Sequence, residues 1–351
     1  MIHKITLIVE DPLLLGNNFF SDDISVIRDN QNACFAGLRN KLLEHNIDLS
    51  TEDINSIEEA EIVIRFNVDE NFLGSKNHKN YLIIQEPPTV LEKNWDTKLH
   101  SEFDRVFTWN ESIVDNKKYF LYNLAYDYSS DFRLESKNKK KLCVMIAGYK
   151  DSKHELELYS ERINTLNWFL KYHPNEIDLY GPNWPEYIFN NRIVRNTRFN
   201  YYLRKCLPNI FIKLFAGPNR IYGGKIESKR AVLCDYKFSI CYENMHNVNG
   251  YITEKIFDSF SAGCVPIYWG ANDIGKFIPA NCFVDRRSFK SIQKLYNYIS
   301  SISEKEYMEY LINIRTFLKS DAVKIFSVDY FAETFTHYIL RDIFDQKKPC
   351  K

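Results

Sequence analysis

No aspartate in this chain has a second aspartate two residues on. Enzymes that hold a nucleotide diphosphate through a divalent ion commonly set that ion on such a D-x-D pair, so a diphosphate bound here would be held by cationic side chains and backbone amides instead. Eight cysteines are present (34, 143, 206, 234, 241, 264, 282, 350), but no C-x-x-C occurs, and the eight scattered histidines include no H-x-x-x-H, which removes the usual zinc spacings. Several of the cysteines lie in apolar strand-like runs such as KKLCVMIA and FSICYEN, which predicts reduced, mostly buried thiols. Neither G-x-G-x-x-G nor G-x-x-x-x-G-K-[ST] is found, so neither a typical dinucleotide site nor a P-loop is supported. Net charge is missing too. The 46 basic residues balance 46 acidic ones, leaving no global field to recruit nucleic acid or an acidic membrane, and any anion must be met by a local cluster. The early apolar run ITLIV is cut short by Glu10 and Asp11, too soon for a secretory core, and no later run approaches membrane-spanning length. With no heptad repeat and no long basic amphipathic tail, the expected location is the cytoplasm, with membrane association at most peripheral.

What is present is a chain of 351 residues, 45% apolar and 15% aromatic, enough for two domains with substantial cores. The first part alternates short apolar runs with helix-like stretches: HKITLIVE, CFAGLRNKLLEHN, AEIVIRFNV, YLIIQEPP, FDRVFTWN and YFLYNL. Such alternation indicates an α/β domain. The lysine-rich interval SSDFRLESKNKKK, Ser129 to Lys141, then marks a boundary. The pattern restarts with strand KLCVMIA, a helix expected over ELELYSERINTLNWFLKY, strand EIDLYG, an irregular aromatic stretch, and strand YKFSICYEN. A helix expected from Thr253 to Gly263 leads directly into strand CVPIYWG, a strand-helix-strand unit of a doubly wound sheet. KSIQKLYNYISSI and EKEYMEYLINIRTFLK read as helices. SVDYFAETFTHYILRDIF follows with an apolar stripe of Tyr330, Phe331, Phe335, Tyr338, Ile339, Ile343 and Phe344.

The stretch GYITEKIFDSF puts a carboxylate, Glu254, beside an ammonium, Lys255, at the start of that internal helix. Its plain reading is structural: Thr253 as N-cap, Glu254 on the helix dipole, and Ile256, Phe257 and Phe260 as the buried stripe. Its placement adds a second reading. The loop ENMHNVNGYITEK joins the end of a strand to a helix start, which is where open parallel sheets bind ligands, and a phosphate there would meet free amides and Lys255.

The segment from Tyr236, YKFSICYENMHNVNGYITEKIFDSFSAGCVPIYWGA, with the following IP of KFIPANCFVDRRSF, resembles the donor-binding signature of the α1,3/4-fucosyltransferases. It carries in order F-x-x-x-x-E-N, Y-x-T-E-K-I and V-P-x-Y-W-G-A. The dense resemblance covers about sixty residues, with weaker agreement from roughly residue 80 onward. It implies a GT-B fold, two Rossmann-like α/β domains facing a cleft. An acceptor-binding domain would span residues 1–138, a domain binding guanosine diphosphate (GDP)-fucose residues 139–325, and a terminal helix and tail, 326–351, would pack back toward the first domain. It also implies an inverting α1,3-fucosyltransferase that needs no cofactor, a divalent metal being stimulatory at most. The acceptor would be an oligosaccharide or glycoconjugate, with the 3-hydroxyl of a GlcNAc or glucose unit expected, and no nucleic acid partner.

By the same resemblance Tyr251, Glu254, Lys255 and Asn244 fall on donor-contacting positions. Lys255 would neutralise the leaving diphosphate, while Glu254 would face the fucose and its developing oxocarbenium charge. Arg162 in SERINTLNWF matches a family arginine that reaches the diphosphate as a fork-shaped donor. Lys229 in GGKIESKRAVL is a further cation of the site, with Lys225 and Arg230 competing for that role. The general base falls on Glu86 in YLIIQEPP, at the end of an apolar strand, although Gln85 and Pro87 stand where relatives usually carry Gly and Asn. AGYKD likewise departs from a Ser-Asn pair common in relatives. Tyr268 and Trp269 read as core and base-side packing, and Trp109 in FTWNES as an aromatic facing the acceptor. Two other readings stay open: a relative using another nucleotide sugar, and a catalytically silent glycan- or nucleotide-binding protein, separated from an enzyme by whether Glu86 faces the cleft.

Overall fold

The computed structural model describes residues 2–23, 31–68, 77–132, 141–184 and 221–344, together with Asp29, Leu134 and Lys139. Within them the chain forms two parallel sheets. The first contains β1 (His3–Leu7), β2 (Ile47–Thr51), β3 (Ile62–Phe66), β4 (Lys79–Ile84), β5 (Arg105–Thr108) and β6 (Tyr119–Leu121), in the spatial order β2-β1-β3-β4-β5-β6. The second contains β7 (Lys141–Ile146), β8 (Ile177–Tyr180), β9 (Tyr222–Gly224), β10 (Tyr236–Tyr242), β11 (Val265–Trp269) and β12 (Val284–Asp285), in the order β12-β11-β10-β7-β8-β9. Counted from its own first strand, that order is 3-2-1-4-5-6, the Rossmann arrangement, whose order reverses between β7 and β10. The first sheet has the flavodoxin-like order extended by one strand. Two such sheets with their helices make the expected GT-B architecture. Both sheets are buried on both faces, which is why YLII of β4 and FSICY of β10 are nearly continuous apolar runs instead of alternating ones.

The strands β2, β9 and the two-residue β12 go beyond the expected set. IDLST carries only two aliphatic residues, and YGG of β9 is short and glycine-rich, so neither shows a strand pattern of its own. The helix expected from Glu155 begins at Tyr159 and ends at Tyr172. Residues Leu156 to Leu158 are drawn instead into antiparallel contact with the loop after β10. His246 N–H donates to the Leu156 carbonyl at 2.9 Å and Leu158 N–H to the Asn244 carbonyl at 3.2 Å. Glu157 Oε2 accepts from Ser160 N–H at 2.9 Å and so caps the helix. Thr253 occupies the N-cap position of the Glu254–Ser261 helix without capping it; its hydroxyl is engaged elsewhere, as described below.

The Val328–Phe344 helix packs on the first sheet's layer. Phe331, Phe335, Ile339 and Ile343 share one core with Phe35, Leu38 and Leu42 of the Ala33–Leu43 helix, whereas Tyr330 and Phe344, expected in the apolar stripe, lie exposed. Asp342 anchors this helix. Its carboxylate accepts from Arg105 Nε at 2.7 Å and from Tyr81 Oη at 2.6 Å, and Arg105 Nη2 completes a bidentate pair. Replacing Asp342 by alanine leaves a largely buried guanidinium unpaired and is expected to cost about 3 kcal/mol, read as a lower urea midpoint. Of the described cysteines, five are buried and Cys234 is exposed, all with free thiols, and burial pushes the Cys34 thiol up to about 12. Cys206, Cys350, the aromatic stretch 185–220 and the tail after Phe344 lie outside the described residues.

Candidate active site

The loop between β10 and the Glu254–Ser261 helix is built around Glu243, which has no exposed surface. Its Oε1 accepts from Thr253 N–H at 2.8 Å, and its Oε2 accepts from the Thr253 hydroxyl at 2.6 Å and from Lys255 Nζ at 3.3 Å. Lys255 Nζ also donates to Thr253 Oγ1 at 3.0 Å and lies 3.5 Å from Glu254 Oε1. Burial acts to strip the proton from Lys255, but the carboxylates of Glu254 and Glu243 outweigh it and raise its pKa, so the ammonium is fixed as a cation. Glu243 belongs to the same cluster as Thr253 and Lys255, and the sequence reading passed over it in favour of its neighbour Asn244. The signal available was a carboxylate at a strand terminus opposite T-E-K, where a charge must have a partner.

Arg162, on the Tyr159–Tyr172 helix, is buried and reaches the same loop. Its Nη2 donates to the Tyr242 carbonyl at 2.6 Å and to Asn244 Oδ1 at 3.1 Å, and its guanidinium lies 5.1 Å from the centre of the Tyr159 ring. Among the described residues no carboxylate forms an ion pair with it, and burial lowers its pKa. An enclosed cation met only by neutral acceptors is suited to an incoming anion. Asn244 Nδ2 donates onward to the Tyr251 hydroxyl at 3.2 Å, so Arg162, Asn244 and Tyr251 form one chain of contacts.

Lys229 also comes to the site, but its charge is already partnered. Its Nζ lies 2.8 Å from Asp258 Oδ2 and 3.6 Å from Glu254 Oε1. Burial lowers its pKa less than Glu254 and Asp258 raise it. Lys229, expected as a further cation of the site, is thus paired with Glu254 and Asp258. Burial works to raise the Glu254 pKa, yet Lys255 and Lys229 on either side hold this carboxyl well below the usual range. Burial, opposed by Lys229 and helped by Glu254, pushes Asp258 up to about 6. Tyr268 is fully buried, while Trp269 is half-buried with the Arg286 guanidinium 5.3 Å from its ring centre, both in packing roles. Among the described residues no group of three or more His, Cys, Asp or Glu is placed to hold a metal ion.

Glu86 follows β4 and faces the second half of the chain. Burial raises its pKa first of all; Lys150 and Lys255 oppose that rise and Glu254 adds to it. The carboxylate of one sheet thus sits within electrostatic reach of the cations and acid of the other. Lys150, from the AGYKD stretch, is exposed and acts on Glu86 at electrostatic range, a relation no motif marks.

Trp109 is corrected. It is buried, its ring centre 4.8 Å from that of Tyr251 and 5.0 Å from that of Trp95, and its Nε1 donates to the Gln85 carbonyl at 3.1 Å. A side chain enclosed between the two halves has no face left to stack on a sugar. The contact is so close that Gly250, at φ 77°, cannot carry a Cβ: one would stand 2.3 Å from the Trp109 carbonyl oxygen. Substituting Gly250 by alanine is expected to lower stability by on the order of 1–3 kcal/mol. Thermal melting would show it as a drop accompanied by increased Trp109 solvent exposure in fluorescence.

Residues 187–325 match the family model described as Glycosyltransferase family 10 (fucosyltransferase) C-term. The alpha-(1,3)-fucosyltransferase FucT of Helicobacter pylori is 36% identical over 77 residues, 22% of this chain and 16% of that protein. An alpha-(1,4)-fucosyltransferase of Arabidopsis thaliana is 38% identical over 77 residues, 21% of this chain and 19% of that protein. The chain thus matches less than a fifth of the length of these two curated relatives. Among solved structures, an alpha1,3-fucosyltransferase with GDP-fucose superposes over 96% of this chain and 90% of its own, at TM-score 0.52 and 17% identity. The Anabaena Alr3699/HepE protein in complex with UDP and glucose does so over 96% of this chain and 99% of its own, at TM-score 0.55 and 9% identity. Those two superpositions are likenesses of fold.

Proposed function

We propose, from the match of residues 187–325 to the model of glycosyltransferase family 10 (fucosyltransferase) C-term, that this chain transfers fucose from GDP-fucose to a hydroxyl of a glycan, the 3-hydroxyl of a GlcNAc or glucose unit. The observation that carries the reading is the pairing of opposite functions across the cleft. Glu86, a carboxylate with raised proton affinity at the end of β4, lies within electrostatic reach of Lys255 and Glu254 of the second sheet.

In this reading the acceptor hydroxyl attacks the anomeric carbon of fucose from the face opposite the diphosphate. Its proton passes to Glu86, and the bond from the anomeric carbon to the β-phosphate oxygen breaks with inversion. The electron pair leaves with GDP, whose charge meets Lys255 and the buried Arg162 guanidinium. Glu254 remains ionised because of Lys255 and Lys229, and offers a fixed negative charge to the electron-poor sugar ring. Tyr251 and Asn244 orient Arg162 toward the diphosphate. No metal is required, the cations being supplied by the protein.

Calorimetric titration with GDP and GDP-fucose in the presence of a chelator, followed by mass spectrometry after adding lactose or N-acetyllactosamine, tests donor, reaction and metal requirement together. Binding in chelator and a gain of one fucose are expected. Failure to bind either guanosine compound would overturn the donor assignment, and binding without transfer to any glycan would leave a silent relative.

A further inference from the structure

The backbone that carries Glu86 is held in an unusual way. The ladder of β4 ends with Ile84 paired to Thr108, and the two residues after Glu86 are prolines, which have no N–H to continue it. The polar groups of the intervening backbone would ordinarily turn to water. Here side chains take them. Tyr122 Oη donates to the Ile84 carbonyl at 3.0 Å, and Trp109 Nε1 to the Gln85 carbonyl at 3.1 Å. The N–H groups of Gln85 and Glu86 both donate to Asn67 Oδ1 at 3.3 Å, and Asn94 Nδ2 donates to the Glu86 carbonyl at 3.2 Å.

Asn67 and Asn94 form the centre of this clamp. Asn94 Nδ2 donates to Asn67 Oδ1 at 2.7 Å, and Asn94 Oδ1 accepts from Val68 N–H at 2.8 Å. Asn94 has no exposed surface, and its carbonyl lies 3.0 Å from Nε2 of the buried His100. Asn67 adopts φ 57°, a left-handed conformation that asparagine tolerates better than most residues, and this turns its side chain back toward the end of β4. One fully buried amide, Asn94, and one half-buried amide, Asn67, thus fix a single peptide segment at a strand end. What the segment presents is a single carboxylate at the cleft.

We infer that the Asn67–Asn94 amide pair positions Glu86 for proton transfer, setting the rate of glycosyl transfer and not the affinity for the donor. The inference rests on Glu86 acting as general base. Proton transfer demands a carboxylate held within hydrogen-bond reach of the acceptor hydroxyl, and a displacement of about 1 Å can lower a rate on the order of a hundredfold.

Asn67→Gly removes the acceptor while keeping a backbone that favours positive φ. GDP release from GDP-fucose, with N-acetyllactosamine, lactose or water as acceptor, is expected to slow on the order of ten- to a hundredfold, with GDP affinity by calorimetry within about twofold of wild type. Asn67→Asp restores the acceptor oxygen and should recover most of the rate. Its added negative charge should move the acidic limb of the pH profile to higher pH. A wild-type rate in Asn67→Gly, or a loss of GDP affinity matching the loss of rate, overturns the proposal. Should Asn67→Gly fail to fold, Asn67→Ser withdraws the same acceptor oxygen by shortening the side chain; an unchanged rate there overturns it equally. Glu86→Gln is measured in parallel. If that variant turns over normally, the base assignment falls and the positioning role falls with it. If it is inactive while Asn67→Gly is fully active, only the positioning role fails. A wild-type protein that releases no GDP with any of the three acceptors removes both.

Discussion

Glu86→Gln is expected to lower glycosyl transfer by on the order of a hundred- to ten-thousandfold and to leave the affinity for GDP within about twofold. Glutamine keeps the shape and the backbone clamp but cannot take a proton. Stability gives this prediction a second readout. The Glu86 carboxyl has a raised pKa in the folded chain, burial being the main cause. A carboxylate raised on folding favours the native state below its unfolded pKa, and that advantage is lost as pH rises through the folded value. The glutamine variant should therefore match wild type in acid and become the more stable of the two at neutral pH. The same raised pKa places the acidic limb of the wild-type activity profile above the usual carboxylate range, since transfer requires the ionised form. An active variant, or one destabilised at pH 7, would mean that Glu86 serves the fold and not the reaction.

Lys255→Ala is expected to act on two quantities at once. Removing a charge-assisted hydrogen bond to the diphosphate should weaken GDP binding by about 1.5–3 kcal/mol, on the order of ten- to a hundredfold. The fold loses more, about 3–5 kcal/mol, because Glu243 stays fully buried without its counter-ion. Burial already raises the Glu243 pKa and Lys255 opposes that rise, so the variant raises it further. The stability deficit should then shrink as pH falls and Glu243 takes up a proton. Denaturation of both proteins between pH 5 and 8 would show it. A deficit independent of pH would mean that Glu243 is neutral already in the wild-type protein. Lys255→Ala with unimpaired GDP binding would remove Lys255 from the diphosphate site.

The arrangement around the Glu254–Ser261 helix was largely legible in the sequence, because a strand, a loop, a helix and a strand follow one another without interruption and each carries its own signal. The burial of Ile256, Phe257 and Phe260 and the turn at Gly263 follow from helical spacing and stop chemistry alone. Asp258 was missed, though it stands four residues after Glu254 on the same helical face, where two carboxylates call for a shared cation. What could not be read was which residues from distant strands meet. Lys150 faces Glu86 only because β7 and β4 end on the same cleft, and Trp109 is enclosed only because the loop at Gly250 closes over it. The late start of the Tyr159–Tyr172 helix has the same origin: the competing partner, Asn244 to His246, lies more than eighty residues along the chain.

The helix at Val328–Phe344 is the last described element to leave the ribosome, yet the core it completes belongs to the first. Throughout synthesis Phe35, Leu38 and Leu42 wait for Phe331, Phe335 and Ile339 to be made. The core of the β7–β12 sheet closes only a little earlier in the chain, with Phe317, Val323 and Phe326. The sheet made first therefore cannot bury its core until nearly all of the described chain exists. A stop codon ahead of Val328 would strand the beginning of the protein in an exposed, aggregation-prone state, and limited proteolysis of such nascent chains would cut residues 2–68 before residues 221–318.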